Sequence, residues 1–344
     1  MIEKKKKAIL VAPLNSSFVK TDISILSIEY EVKVFIVGNH KGIYYLIRLF
    51  KFCIFLLINL YKTKLYYSWF ADYHSFISTI FSKIFNIKTI VCVGGYDAVY
   101  LKEFKYGILN NTLRGKISKI TVKLSDKVFF SSNFLKLTYQ KNEDFRNDSK
   151  YHVIYPAFEE PFLVPNTNSK KIQFICISYC NDIHRAHIKG IDRFLSLAKI
   201  FNDYDFVLVG VSQKFMNDDI FKGISNLKIY NELSRNMIFK LLNESLFICQ
   251  LSRFEAFGLA VLEGIYFKCI PIIANDTGLV EMVTDLPLTI FIEQSDVLND
   301  YEPKIIQLIN DFKNFEIDFK SNFNTEGFSK KSRTNKVLCR LFSN

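Results

Sequence analysis

The sequence has few of the features that mark disulfide-rich or leader-bearing proteins. Its seven cysteines among 344 residues are odd in number and scattered. Five of them lie in apolar runs: Cys53, Cys92, Cys176, Cys249 and Cys269. This pattern predicts buried thiols in a reducing cytosol rather than a disulfide framework. The basic start of the sequence has too few apolar residues for the core of a signal peptide, so we expect none.

Long apolar runs and internal repeats are also missing. No apolar run reaches the roughly 20 residues that a membrane-spanning helix needs. The longest, Leu49–Leu60, contains Lys51 and has basic flanks. A helix lying in a membrane interface would have this composition, and so would a buried core helix. No repeat of solenoid period or low-complexity segment is evident.

Charge is distributed unevenly along the chain. The net charge is +11, but residues 1–150 hold 24 Lys and Arg against 11 Asp and Glu, and the remainder holds 21 against 23. The basic first half indicates an anionic partner for that half only. Nucleic acid is one candidate. We favour an anionic membrane surface, because the basic residues alternate with apolar ones and form no nucleic-acid-binding module.

The length predicts two domains, because 344 residues exceed a typical single core. Strand-type runs alternate with helical stretches twice, which is typical of doubly wound α/β domains with parallel sheets. We predict a first domain over 1–156, a linker over 157–170, a second domain over 171–322 and a final helical segment over 323–344. Strands are predicted at Ala8–Ala12, Val32–Val37, Leu65–Trp69, Thr89–Val93, Lys127–Phe130, His152–Tyr155, Ile172–Ile177, Phe206–Val209, Leu227–Tyr230, Leu246–Gln250, Ile270–Ala274 and Leu288–Phe291. Helices are predicted at Ile43–Tyr61, Tyr73–Phe85, Thr112–Leu124, Asn133–Lys141, Gly190–Phe201, Ser234–Asn243, Leu259–Phe267, Tyr301–Phe312 and Asn324–Phe342.

The stretch Leu251–Val283 carries the strongest functional signal. It continues from a strand into a loop, a helix, a second strand and another loop, which forms a βαβ unit with a parallel pair. Ligands of such sheets bind beyond the carboxyl ends of the strands. Glu255 lies in the loop before the helix and Glu263 lies inside the helix, about 7 Å along the axis from its start. Between them, free backbone N–H groups at the helix start would attract phosphate. A ligand with a hydroxyl-rich group, then a diphosphate, then a second hydroxyl-rich group would fit this arrangement. A nucleotide sugar has that order.

This stretch resembles the donor-site signature of family 4 glycosyltransferases. The matching positions are Glu255-Ala256-Phe257-Gly258, Glu263, Pro271-Ile272, Ala274, Asp276, Gly278 and Glu281. The resemblance implies the GT-B fold: two doubly wound, Rossmann-like α/β domains facing a cleft, with a last helix crossing back to the first domain. It also implies that Glu255 holds the transferred sugar and Glu263 the nucleotide ribose. We also predict donor contacts from five neighbouring residues: Phe257, Gly258, Leu259, Thr277 and Gly278.

A second motif, Lys189-Gly190, resembles the Lys-Gly that follows the first strand of the second domain in family 4. There an arginine and this lysine clamp the donor diphosphate, and the lysine stabilises charge developing on the leaving group. Ser178-Tyr179 replaces the usual Gly-Arg, and the loop is lengthened. Arg185, on that loop, is our candidate to supply the lost charge. An exposed arginine without a role fits the sequence as well.

Acceptor residues are expected in the first domain. Two patches follow strands, Tyr67–Phe76 and Val93–Tyr100, and both resemble patches found in a bacterial and archaeal branch of family 4. From them we select His74 and Asp97 as candidate catalytic residues. The alternative for Asp97 is a helix cap. We expect Trp69 to be a core residue.

The sequence therefore indicates a retaining glycosyltransferase of hexosyltransferase type. It would use a nucleotide sugar, with no metal or other cofactor, and act on a glycan or lipid-linked acceptor in surface-polysaccharide synthesis. We expect it in the cytoplasm, at the inner face of the cell membrane, with no nucleic-acid partner. Two alternatives stay open: another GT-B enzyme, such as an inverting transferase or a nucleotide-sugar epimerase, and a non-catalytic relative that binds anionic lipid or a protein partner.

Overall fold

A computed structural model describes residues 5–38, 40–110, 112–142, 149–158, 161, 163–293, 298–319 and 326–342. The chain divides into two compact units. The first comprises Met1–Ala157 together with Glu326–Asn344, and the second comprises Phe158–Thr325.

The first unit is built on a six-stranded parallel sheet with the strand order β2-β1-β3-β4-β5-β6. Its strands are β1 (Lys6–Ala12), β2 (Tyr30–Ile36), β3 (Thr63–Trp69), β4 (Lys88–Val93), β5 (Lys127–Phe130) and β6 (Tyr151–Val153). Its first helices are α1 (Ser17–Leu26), α2 (Gly42–Ile58), α3 (Tyr73–Phe85), α4 (Leu113–Leu124) and α5 (Asn133–Asn142). The inner strands are almost wholly buried because helices cover both faces of such a sheet.

The second unit repeats this architecture with the strand order β12-β11-β10-β7-β8-β9, again parallel. Its strands are β7 (Lys171–Cys180), β8 (Asp205–Val211), β9 (Leu227–Tyr230), β10 (Ser245–Gln250), β11 (Ile270–Ala274) and β12 (Ile290–Ile292). Its helices are α6 (Ile183–Ile188), α7 (Ile191–Ile200), α8 (Arg235–Glu244), α9 (Leu259–Tyr266), α10 (Val280–Val283) and α11 (Glu302–Lys313). Phe174 of β7 lies at the centre of the core, stacked between Phe206 and Phe247 at centroid distances of 4.5 and 4.6 Å.

The last helix, α12 (Lys330–Phe342), belongs to the first unit. Its Arg333 is buried and forms two bonds of 2.7 and 2.8 Å to the Asp22 carboxylate on α1. The same carboxylate accepts hydrogen bonds from the Tyr67 hydroxyl at 2.8 Å and the Trp69 indole N–H at 2.9 Å. Burial would lower the pKa of Arg333, but the Asp22 charge raises it above its ordinary value. Trp69 is a core residue, as expected.

Every predicted strand is present, with ends that differ by three residues or fewer. Three helices were not predicted: α1, α6 and α10. The predicted long loop after the first strand of the second domain is wrong in two ways. β7 continues through Ser178 and Tyr179 to Cys180, and the next residues form α6, with Asp182 at its N-cap accepting a hydrogen bond from the Arg185 N–H at 2.7 Å. A bulge in the β7 ladder follows Ile177, where the continuous apolar run that marked the strand ends.

Candidate functional site

The donor-side residues predicted from the sequence come together at one edge of the second sheet. β11, β10 and β7 are neighbours in this sheet, and all three are parallel. Their carboxyl ends therefore meet at the same edge. Lys189 follows β7, Glu255 follows β10, and Thr277-Gly278 follow β11.

The centre of this edge is an ion pair between Lys189 and Glu255. The Lys189 Nζ atom lies 2.7 Å from Glu255 Oε2, and the two side chains are 16% and 18% exposed. Gly190 directs the chain here with a φ of +66°, and an added Cβ would lie only 1.9 Å from the Leu251 carbonyl oxygen. Position 190 therefore accepts no side chain, because both the left-handed backbone and the close approach require glycine.

A second ion pair holds the Lys189 segment in place. Arg253 donates two hydrogen bonds to the Asp192 carboxylate on α7, at 2.8 and 2.7 Å, and a third to the His187 carbonyl oxygen at 2.6 Å. The Arg253 backbone N–H bonds to the carbonyl oxygen of Ile188 at 2.9 Å. The loop that bears Glu255 and the turn that bears Lys189 are thus fastened together. We did not predict Arg253 from the sequence, although its place two residues before Glu255 was a usable signal.

The amino end of α9 adds a site for negative charge beside the ion pair. Gly258 is the N-cap residue with a φ of +118°, and no side chain caps the helix. This positive φ favours glycine, and an added Cβ would also displace the end of the Leu279 side chain, which lies 2.3 Å away. The first N–H groups of a helix, here beginning with that of Leu259, have no partner inside the helix. They attract an anion. The Phe257 side chain beside them is buried.

The loop after β11 packs backbone to backbone on the Glu255 loop. The Gly278 N–H bonds to the Glu255 carbonyl oxygen at 2.9 Å, and an added Cβ at Gly278 would lie 2.1 Å from the Ala256 carbonyl oxygen. Thr277 is buried, and its hydroxyl donates to the Ala274 carbonyl oxygen at 2.9 Å. These contacts hold the Glu255 loop, and ligand contacts by Thr277 and Gly278 stay a prediction.

Glu263 lies one helical turn inside α9 and is buried. Arg235, at the start of α8, lies 2.9 Å from its Oε1 atom. Burial raises the pKa of the Glu263 carboxyl, and the Arg235 charge opposes part of that rise. A carboxylate can accept hydrogen bonds from ligand hydroxyls, and the assignment of Glu263 to the ribose stays a prediction. We did not predict Arg235 from the sequence, because it is 28 positions away in an unrelated helix.

We expect Glu263→Ala to weaken binding of the bare nucleoside diphosphate by ~1.5–3 kcal/mol, or about 10- to 150-fold. The reason is that a hydrogen bond from the ribose to a charged acceptor would be lost. Isothermal titration calorimetry with the nucleoside diphosphate measures this directly. Glu316→Ala, an exposed glutamate of the same unit, is the matched control. An affinity equal to that of the control would reject the ribose assignment.

Arg185 lies inside helix α6 rather than on the predicted loop. Lys189, four residues later, is the C-cap of this helix, and its backbone N–H donates to the Arg185 carbonyl oxygen at 3.0 Å. His184 and His187 are on this helix as well. Within the part of the chain that the structure describes, no group of three or more His, Cys, Asp or Glu side chains is placed to share a metal ion. The sequence does contain an Asp-x-Asp run, Asp203–Asp205, but it lies at the amino end of β8, at the opposite edge of the sheet from Lys189.

In the first unit, Asp97 and His74 are both buried. Asp97 Oδ2 accepts the Ala71 N–H at 2.8 Å, while Oδ1 accepts those of Gly94 and Gly95 at 3.0 and 2.9 Å. Burial raises the pKa of Asp97 to about 6, and the N–H bonds oppose this rise. Through these hydrogen bonds Asp97 holds the Gly94-Gly95 loop in place. A catalytic role for Asp97 stays a prediction.

His74 borders a cavity of about 350 Å³ at the carboxyl edge of the first sheet. The His74 Nε2 atom lies 2.8 Å from the Trp69 carbonyl oxygen, and burial lowers the pKa of the ring. The cavity wall also includes two aromatic residues, Tyr45 and Tyr73, and three charged ones, Lys41, Asp72 and Arg114. Arg114 forms a two-pronged ion pair with Asp72, which caps α3. Burial would raise the pKa of Asp72, but Arg114 holds it below its ordinary value.

The second unit matches a known family. Residues 167–322 match the family model described as glycosyl transferases group 1. The chain is a glycosyltransferase. The matched range contains the ion pair of Lys189 with Glu255, the amino end of α9 and Glu263.

A relative and two solved structures extend the comparison over the whole glycosyltransferase. An uncharacterized glycosyltransferase of Methanocaldococcus jannaschii is 26% identical over 317 residues, 88% of this chain and 82% of the relative. Sucrose-phosphate synthase from Thermosynechococcus elongatus superposes with a TM-score of 0.74 at 12% identity, covering 98% of this chain and 99% of that one. Anabaena HepE in complex with UDP-glucose superposes with a TM-score of 0.69 at 13% identity, with the same coverage. These likenesses confirm the expected α/β fold of GT-B type.

Proposed function

We propose that this glycosyltransferase moves a sugar from a nucleotide-sugar donor to a glycan or lipid-linked acceptor, with retention of the anomeric configuration. The observation that carries the proposal is the meeting of Lys189, Glu255 and the amino end of α9 at one sheet edge. The HepE structure, which has the same fold, contains UDP-glucose, and this supports a nucleotide-sugar donor.

The charges at this edge fit the leaving group of such a donor. Negative charge grows on the diphosphate as its bond to the sugar breaks, and fixed positive groups stabilise that state most. Lys189 supplies one positive charge, and the amino end of α9 supplies roughly half a charge. Glu255, 2.7 Å from the ammonium group, holds Lys189 at this position and can accept hydrogen bonds from sugar hydroxyls.

Retention is what the resemblance to family 4 implies. The acceptor oxygen would bond to the anomeric carbon on the face from which the diphosphate departs. The bond between that carbon and the diphosphate oxygen breaks, and the acceptor proton passes to an oxygen of the leaving phosphate. In this scheme the protein positions the two substrates and stabilises the leaving diphosphate, and no side chain needs to act as the nucleophile.

The cavity of the first unit supports the acceptor assignment. Its wall combines the aromatic rings of Tyr45 and Tyr73, which pack on sugar faces, with the ammonium group of Lys41, which attracts an anionic acceptor. A growing anionic glycan or a lipid-linked sugar phosphate presents both sugar faces and negative charge. We therefore propose a role in cell-surface polysaccharide synthesis.

A donor and acceptor panel tests this function. We expect one nucleotide sugar to raise the melting temperature, and the same one to release nucleoside diphosphate when alkyl glycosides are added, with or without a metal chelator. The proton NMR coupling constant of the product's anomeric proton should report the configuration of the donor. An inverted anomer would establish an inverting transferase. Binding without turnover on any acceptor would favour the non-catalytic alternative.

A further inference from the structure

Helix α2 (Gly42–Ile58) of the first unit exposes an unusually apolar face. Only Phe52 and Leu56 are buried among its seventeen residues. Six large apolar side chains at helical spacings of three and four stay at least 40% exposed: Ile43, Ile47, Phe50, Ile54, Leu57 and Ile58. Residues at this spacing form one stripe along the helix.

The stripe lies opposite the face that packs on the unit's own core. Phe52 contacts Phe35 of β2 at a centroid distance of 4.9 Å, and it is fully buried with Leu56. At 100° per residue, Phe50 and Ile54 point about 160° away from Phe52. The exposed stripe is therefore on a different face of α2 from the residues that pack on the core. Soluble monomers rarely leave a contiguous apolar patch of this size uncovered.

The chain segment that carries the stripe has basic residues and no acidic ones. From Val32 to Ala71 the sequence contains no Asp or Glu. Exposed lysines lie at the start of α2, along its side and just beyond its end: Lys41, Lys51, Lys62 and Lys64. An apolar stripe framed by lysines complements a surface that is apolar inside and anionic at its boundary.

We propose that the exposed face of α2 docks the glycosyltransferase on an anionic lipid bilayer, with the helix lying in the plane of the interface. Its seventeen residues span about 25 Å. Within the described ranges no helix is both long and apolar enough to cross a bilayer. A flat orientation inserts the stripe into the boundary between headgroups and acyl chains and leaves the lysines among the headgroups. This docking is independent of the transfer chemistry.

Vesicle flotation of the full chain tests the proposal. We expect flotation with vesicles of phosphatidylcholine plus phosphatidylglycerol, weaker flotation with phosphatidylcholine alone, and a decrease with added salt. Phe50→Ser/Leu57→Ser should lower partitioning roughly 10- to 100-fold, because two inserted side chains lose their apolar burial. Lys51→Glu/Lys62→Glu should remove the preference for anionic lipid. Neither variant should change the melting temperature or donor hydrolysis.

Matched controls use exposed residues of the same unit on other helices. Ile120→Ser/Leu137→Ser and Lys116→Glu/Lys123→Glu make the same chemical changes on α4 and α5. Both controls should float like the unaltered protein. The proposal fails if the α2 variants float as well as the controls. It also fails if the unaltered protein does not float and sedimentation shows a dimer that Phe50→Ser/Leu57→Ser dissociates, since a second copy would then cover this face.

Discussion

Lys189→Ala is expected to lower turnover roughly 10²- to 10³-fold, with a smaller rise in the donor's Michaelis constant. Its ammonium group is paired with Glu255 at the proposed donor site, and its interaction with the leaving diphosphate would grow in the transition state. Steady-state measurement of kcat and KM for the donor separates the two effects. Lys199→Ala, an exposed lysine of α7, is the matched control and should retain full activity.

The same experiment with Arg185→Ala decides how the diphosphate charge is met. If Arg185 acts on the leaving group from α6, its removal should lower kcat by more than it raises KM, and Lys189→Ala should be at least as damaging. A fully active Arg185→Ala protein beside an inactive Lys189→Ala protein would leave the lysine and the α9 amino end as the whole clamp. Equal activity of Lys189→Ala and its Lys199→Ala control would contradict the proposed donor site.

Arg333→Met is expected to lower the free energy of unfolding of the first unit by about 3–5 kcal/mol, because it leaves the buried Asp22 carboxylate without its cation. The experiment has a built-in reporter. The chain has a single tryptophan, Trp69, whose indole N–H bonds to the same carboxylate. Urea unfolding followed by tryptophan fluorescence therefore measures the unit in which the pair lies.

The matched control for this change is Lys331→Met, an exposed position two residues earlier on α12. It should alter the unfolding free energy by no more than about 0.5 kcal/mol. The double variant Asp22→Asn/Arg333→Met should recover part of the loss, since an amide still accepts hydrogen bonds from Tyr67 and Trp69 without burying a charge. A loss for Arg333→Met no larger than for the control would show that the pair does not stabilise the unit.

The sequence predicted the elements of both units well, because strands and helices leave local periodic patterns. Val128, Phe129 and Phe130 of β5, for example, form a short apolar run between polar breaks, and the strand has the predicted limits. α6 was missed because it leaves no such local pattern. Its six residues include two histidines and an arginine, and no apolar pattern reveals the capping bond that the Arg185 N–H donates to the Asp182 carboxylate.

The proposed donor site shows which contacts local sequence patterns cannot predict. Glu255, Phe257, Gly258 and Glu263 lie within nine consecutive positions, so their spacing alone placed them around one helix start. Arg235, 28 positions before Glu263, is its ion-pair partner all the same. The first unit gives a second example, because His74 and Asp97 were selected for their chemistry, whereas the structure shows their oxygen and nitrogen atoms bonded to buried backbone groups.

The sequence by itself determined the two alternations of strand and helix, the parallel sheets and the position at which α9 starts. Each of these depends on residues close together in the chain. Only the tertiary structure decided the pairs of Lys189 with Glu255, Arg253 with Asp192 and Arg333 with Asp22, which are 66, 61 and 311 positions apart. Charged side chains carry no periodicity that identifies a distant partner. Their pairing follows from which strand ends and helix faces the fold brings within about 3 Å of each other.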